Sequence, residues 1–226
     1  LGICLANSKK YNERCIAGIS VRKKEKGGYI LNKNGDKPAW IRPVTLQNHG
    51  QVPSELVGHI KILDVVEIEI EEEVPSGYQS ENVLFKPKSL KVVGKINAAK
   101  ANLDLLVDDI QRNIFGNWGK AVHKDKISEV NYSLTMVKVQ DPEVYLKTEY
   151  GEQHRLRFDF KGSTYDLPIT DVKYLEYIHS LKKGTDLSQI LKGDVFLTIS
   201  LGVEHEEFHY KLIAGIIQES TDTKKR

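Results

Sequence analysis

The sequence predicts a mainly β protein with a few helices, built as two barrels in tandem and joined by a helix. Three observations carry this. Short apolar runs separated by turn residues fill residues 1–97. One run of helical spacing lies between Ala98 and about Ile114. The remaining chain follows an order of three strands, a helix and two strands.

Ile3–Ala6 and Cys15–Val21 read as the first strands, with a polar connection between them. Gly27-Gly28 and Asn34-Gly35-Asp36 flank Tyr29-Ile30-Leu31 and predict hairpin turns. Trp40–Val44 is another short strand. Its Arg42 stands between Ile41 and Pro43, so the guanidinium must find an acceptor or a ligand. Val66, Ile68 and Ile70 alternate with Glu67, Glu69 and Glu71, which predicts one strand with a buried face and a wet face. Val83–Phe85 and Leu90–Val93 follow as strands. Asn97 then looks like the N-cap of a helix carrying Leu103, Leu106, Val107, Ile110 and Ile114, with Gly116 as its stop.

Beyond that helix, Leu134–Val139, His154–Phe160 and Tyr165–Ile169 read as strands, with Val144–Tyr150 as an additional one. Thr170 can cap a helix to about Leu181, closed by Gly184, and Val195–Leu201 and Phe208–Ile217 supply two more strands. This is the order of an OB-fold, a five-stranded, partly open barrel. The expected architecture is therefore two tandem OB-like barrels, at 1–97 and 121–226, with a connecting helix and loop at 98–120.

Composition sets outer limits. The 226 residues are 40% hydrophobic and 28% charged, as in ordinary globular chains. No apolar run approaches a membrane span and no secretory leader is visible, so a cytoplasmic protein without membrane contact is expected. Cys4 and Cys15 lack metal-ligand spacing and read as free thiols on neighbouring strands. The first 97 residues carry 15 Lys and Arg against 11 Asp and Glu; the rest carry 18 against 20. A polyanion would therefore meet the N-terminal barrel first.

Catalytic motifs are few. His205-Glu206-Glu207-Phe208-His209 fits H-E-x-x-H, which works as a zinc site only on a helix. Here strand-like runs lie on both sides, so a hairpin loop is expected and no metal. There is no P-loop, no G-x-G-x-x-G and no G-x-S-x-G, so neither a cofactor nor a nucleophilic triad is expected.

Asn7-Ser8, Cys15-Ile16-Ala17-Gly18, Trp40-Ile41-Arg42-Pro43-Val44 and Glu81-Asn82 resemble motifs of the bacterial dual OB-containing domain family. So do Tyr165–Asp171, Leu197–Gly202 and Lys211–Ala214. The resemblance spans nearly the whole chain. It implies two linked OB-like barrels and an association with bacterial conflict and defence, with suspected sensing of nucleic acids. It implies no reaction.

OB-folds bind single strands with a basic groove and aromatic platforms. On that basis Arg14 and Arg42 are expected on phosphate, Trp40 stacked on a base, and Asn7 bonded to a base or sugar. Lys9 and Lys10 would steer the ligand. Arg155 and Arg157 share one face of their strand, opposite Leu156, Phe158 and Phe160. Glu204, Glu206 and Glu207 make the last hairpin an acidic rim, which points to the N-terminal barrel as the main binding surface. The sequence thus reads as a non-catalytic module for nucleic acid or a nucleotide. The rival readings are an enzyme on such substrates, using Asp159 or Asp171, and an adaptor that recruits a protein effector.

Overall fold

The computed structural model describes residues 1–46 and 50–218. Strands β1 (Gly2–Lys10) and β2 (Glu13–Lys23) form a long hairpin whose register shifts between Cys4 and Ala6. Strand β3 (Tyr29–Leu31) folds back on β2 through Gly27 and Gly28, both at positive φ, as the glycine pair predicts. Strands β4 (Lys33–Asn34) and β5 (Lys37–Pro38) make a small hairpin around Gly35. Next come β6 (Trp40–Val44), the single turn α1 (Ser54–Val57), β7 (Asp64–Glu67), β8 (Ile70–Glu73), β9 (Asn82–Phe85) and β10 (Lys91–Lys95). These strands build one curled sheet in the order β10-β7-β1-β2-β6-β9-β8, with β3 on the side of β2.

The run expected as one alternating strand is two. Glu69 breaks it, because its N–H donates to Ser89 Oγ at 2.8 Å and its carbonyl accepts from the Lys86 N–H at 3.0 Å. The chain thereby leaves the ladder that β7 makes with β1 and β10 and enters the one β8 makes with β9. Val66 is buried, whereas Ile70 is 46% exposed.

The expected connecting helix is also absent. Residues 98–120 hold only short 3-10 turns, at Leu103–Leu106 and Ile114–Gly116. Leu103, Leu106, Ile110 and Ile114 are buried all the same. Asp108 explains how. Its N–H donates to the Met136 carbonyl at 3.0 Å, and its carboxylate accepts from the Met136 N–H at 2.8 Å. The segment is laced along a neighbouring strand, and that lacing outcompetes the helical ladder.

The second half contains β11 (Ala121–His123), β12 (Leu134–Gln140), β13 (Glu143–Lys147), β14 (Gln153–Phe160), β15 (Ser163–Pro168), α2 (Val172–Ser180), β16 (Asp194–His205) and β17 (Phe208–Gln218). They form two sheets, β11-β17-β16-β12 and β13-β14-β15. A parallel bridge between Ile169 and Ile213 joins these sheets. Asp171, rather than Thr170, caps α2 by accepting from the Tyr174 N–H at 3.1 Å. The protein is thus mostly β, as two tandem OB-like units with few helices.

The two units share a core. Ile3, Leu5, Ile19 and Val65 of the first pack with Met136, Phe196 and Ile217 of the second. Strand β1 crosses β17 so closely that a Cβ on Gly215 would lie 2.0 Å from the Leu5 carbonyl oxygen. The Lys9 N–H donates to the Thr170 carbonyl at 3.0 Å. Among the described residues no helix is long and apolar enough to cross a membrane.

Candidate functional site: a basic cleft between the two units

A cavity of about 610 Å³ opens where the two units meet. That volume falls within the usual range of small-molecule sites, about 300–1,000 Å³, and unit junctions are a preferred place for them. Strand ends build it. Ser8 and Lys9 reach it from β1, Arg42 from β6, and Arg155 from β14, while Ser200, Gly202 and Tyr210 come from the β16–β17 hairpin. Lys120 and Lys147 also line it, giving five basic side chains against the carboxylates of Glu149 and Glu152.

Arg42 is 3% exposed and held in one orientation. The parallel register of β6 with β9 sets it opposite Asn82. Its Nε donates to Asn82 Oδ1 at 2.7 Å, and Nη2 donates to Ser133 Oγ at 2.8 Å and lies 3.5 Å from Glu81 Oε1. The Ser133 hydroxyl in turn donates to Glu81 Oε1. The acceptor that the sequence demanded for Arg42 is therefore found inside the protein. Arg42 has a buried carboxylate partner, and it lines the cavity.

Arg155 is likewise committed. Nε donates to Asp166 Oδ1 at 2.7 Å, Nη2 to the Asp166 carbonyl at 2.6 Å and Nη1 to Gln153 Oε1 at 2.5 Å. Burial alone would raise the Asp166 carboxyl, but hydrogen bonds from Tyr145 and Arg155 hold it below the usual range. Lys9 and Lys120 are exposed at the cavity, and Lys147 sits 3.4 Å from Glu149. Three tyrosines complete the lining. Tyr11 is 55% exposed, Tyr150 is fully exposed, and Tyr210 lies under the Lys120 ammonium at 6.0 Å. Tyr150 belongs to the β13–β14 connection and has φ +63°, an uncommon conformation for a residue with a side chain.

The floor is braced from the first unit. Tyr78 donates its hydroxyl to the Gly202 carbonyl at 2.7 Å and stands 3.0 Å from His209 Nδ1. Burial pushes that hydroxyl up to about 12, so it remains a donor throughout the neutral range.

Several expected contacts lie elsewhere. Asn7 is 2% exposed, and its Nδ2 donates to the Val57 and Ile60 carbonyls at 2.9 Å each, so it pins α1 to β1 inside the first unit. Trp40 is half-buried against the shared core, its Nε1 donates to Asp108 Oδ2 at 3.0 Å, and it does not line the cavity. Arg14 is half-buried beside Val52 and does not line the cavity. Arg157 sits over the Tyr145 ring at 5.2 Å and 3.8 Å from Glu143, also outside the cavity. The Lys10 side chain lies outside the described residues. Lys9, Arg42 and Arg155 are thus the predicted residues that the fold brings together.

The tyrosines, Lys120 and Lys147 were not singled out from sequence. They stand in turns and strand ends whose partners are remote in the chain. A cue existed in Tyr150-Gly151, an aromatic beside a turn glycine.

The H-E-x-x-H stretch is a hairpin, as expected. Glu206 and Glu207 turn it at φ +50° and +70°, and His209 is buried against Tyr78 while His205 is exposed. Among the described residues no group of three His, Cys, Asp or Glu side chains could hold a metal ion. Both Asp171 oxygens accept backbone N–H groups, from Tyr174 at 3.1 Å and Ile216 at 3.0 Å; burial pushes the carboxyl up to about 6. Asp159 accepts from the Thr164 hydroxyl at 2.6 Å. Neither lines the cavity. Cys4 and Cys15 are both free thiols.

Comparison with curated proteins gives no match. The family description "dual OB-containing domain" matches residues 3–216, which takes in both units and every strand that shapes the cleft. With that span matched, the chain belongs to the dual OB-containing domain family.

Proposed function

We propose that the chain is a non-catalytic recognition module for nucleic acid or a nucleotide, with its ligand in the cleft between the two units. One observation carries the reading: five basic side chains and three tyrosines converge on one cavity. Cations attract phosphate and tyrosine rings offer stacking surfaces, the pair of features that nucleic-acid sites combine. This moves the site from the N-terminal barrel alone to the junction, with the units divided at about 1–97 and 121–226. A bacterial, cytoplasmic sensor in a defence setting, coupled to a protein effector, is the role the family association supports.

Fluorescence anisotropy of labelled single-stranded and duplex oligonucleotides, at low and moderate salt, tests it. Wild type is expected to bind with an affinity that falls as salt rises. Lys9→Ala combined with Lys120→Ala is expected to weaken binding and flatten the salt dependence by about two counterions. Arg42→Ala is the wrong probe, since stranding Glu81 in the interior costs about 3–5 kcal/mol of stability. Absence of binding to every oligonucleotide, with nucleotides also inert, removes the proposal.

A further inference from the structure

We infer that the cleft takes a single phosphorylated nucleotide unit, either a free nucleotide or the phosphorylated end of a single strand, rather than the middle of a long strand. This rests on the recognition reading above and narrows it to a ligand class. Size is the first argument. A cavity of about 610 Å³ has the capacity of a small-molecule site, whereas a tracking groove runs along several nucleotides.

Charge placement is the second. The cations that keep donor capacity toward the cavity are Lys9, Lys120 and the remaining edge of Arg42, whose described hydrogen bonds use Nε and Nη2. Arg155 spends its guanidinium on Asp166 and Gln153, and Lys147 is paired with Glu149. The β13–β14 connection also brings Glu152 beside the Lys147–Glu149 pair, so the lip carries an excess of negative charge facing a basic interior. A continuous polyanion would have to pass that lip and be repelled by it. A ligand with its charge at one end would not. Its phosphate goes to Lys9, Arg42 and Lys120, while the lip carboxylates accept hydrogen bonds from sugar hydroxyls or a base amine.

Tyr150 is the third. It is fully exposed yet lines the cavity, on the same lip, so its ring is free to cover a base once one is present.

Competition against a labelled, 5′-phosphorylated single-stranded hexamer tests this with the full chain. The competitors are the four common nucleoside monophosphates, inorganic phosphate, and the same hexamer with a 5′-hydroxyl or a 3′-phosphate. Either source supports the inference. Monophosphates that displace the probe mark a free nucleotide as sufficient, and phosphorylated hexamers at least about tenfold tighter than the hydroxyl form mark a strand end. Tyr150→Ala is expected to weaken binding about fivefold to a hundredfold without loss of fold, because its ring is fully exposed. Hexamers that bind equally with and without phosphate, with monophosphates inert, overturn the inference and leave the recognition reading standing. Inertness of every probe overturns both.

Discussion

Lys211 is fully buried, and among the described residues its ammonium meets the Asn117 carbonyl at 2.7 Å and the Tyr165 ring at 5.1 Å. Burial drives its pKa from the ordinary 10.5 down to about 7. Between these values the unfolded chain binds the extra proton and the folded one does not, so this residue makes stability rise with pH across the window. The penalty of burying the ammonium is absent above about 10.5 and full below about 7. Urea midpoints measured from pH 7 to 10 are expected to climb in wild type more than in Lys211→Met, with the variant the more stable at pH 7. Equal slopes would mean that the ammonium has a partner in the folded state. Arg42 shows the opposite solution to the same problem: a buried cation kept charged by Glu81, Asn82 and Ser133. The sequence disclosed that Arg42 needed an acceptor and marked Glu81-Asn82 as a second motif. It did not disclose Ser133, which comes from the other unit.

At the scale of elements, alternation and turn chemistry were legible wherever a strand pairs with its neighbour in sequence. The β1–β2, β2–β3, β14–β15 and β16–β17 hairpins all follow from apolar runs bounded by turn residues. Reading failed where a remote partner takes the backbone. Ser89 and Lys86 interrupt the alternating run at Glu69, and Met136 unwinds what the leucine spacing of 98–114 promised as a helix. Helical spacing reports only which residues are buried, and those residues are indeed buried. Gly215 was likewise unreadable, since its need for no side chain comes from β1 crossing over it. Gly215→Ala would force β1 and β17 apart and is expected to cost about 1–3 kcal/mol in denaturant titration. A loss below about 0.5 kcal/mol would show that the crossing yields.

For the molecule as a whole, the division into two units is a matter of strand pairing, not of independent stability. Ile3, Leu5 and Ile19 bury themselves against Met136, Phe196 and Ile217, so each unit completes the other's interior. Thermal unfolding followed by near-ultraviolet and far-ultraviolet circular dichroism is expected to give one coincident transition. Two separated transitions would mean that each unit stands alone.

This welding also decides how fast the cleft can be filled. A junction sealed by a shared core cannot gape like a hinged clamp, so no slow domain opening gates entry. The exposed element at the mouth is the short β13–β14 lip with Tyr150, and surface loops as a class move in nanoseconds to microseconds. Capture of the proposed ligand would then proceed at the rate of encounter, hastened by the exposed Lys9 and Lys120. Residence of the proposed ligand would rest on its phosphate contacts and on this lip, so changes in the surface loop would tune residence time without touching the welded core.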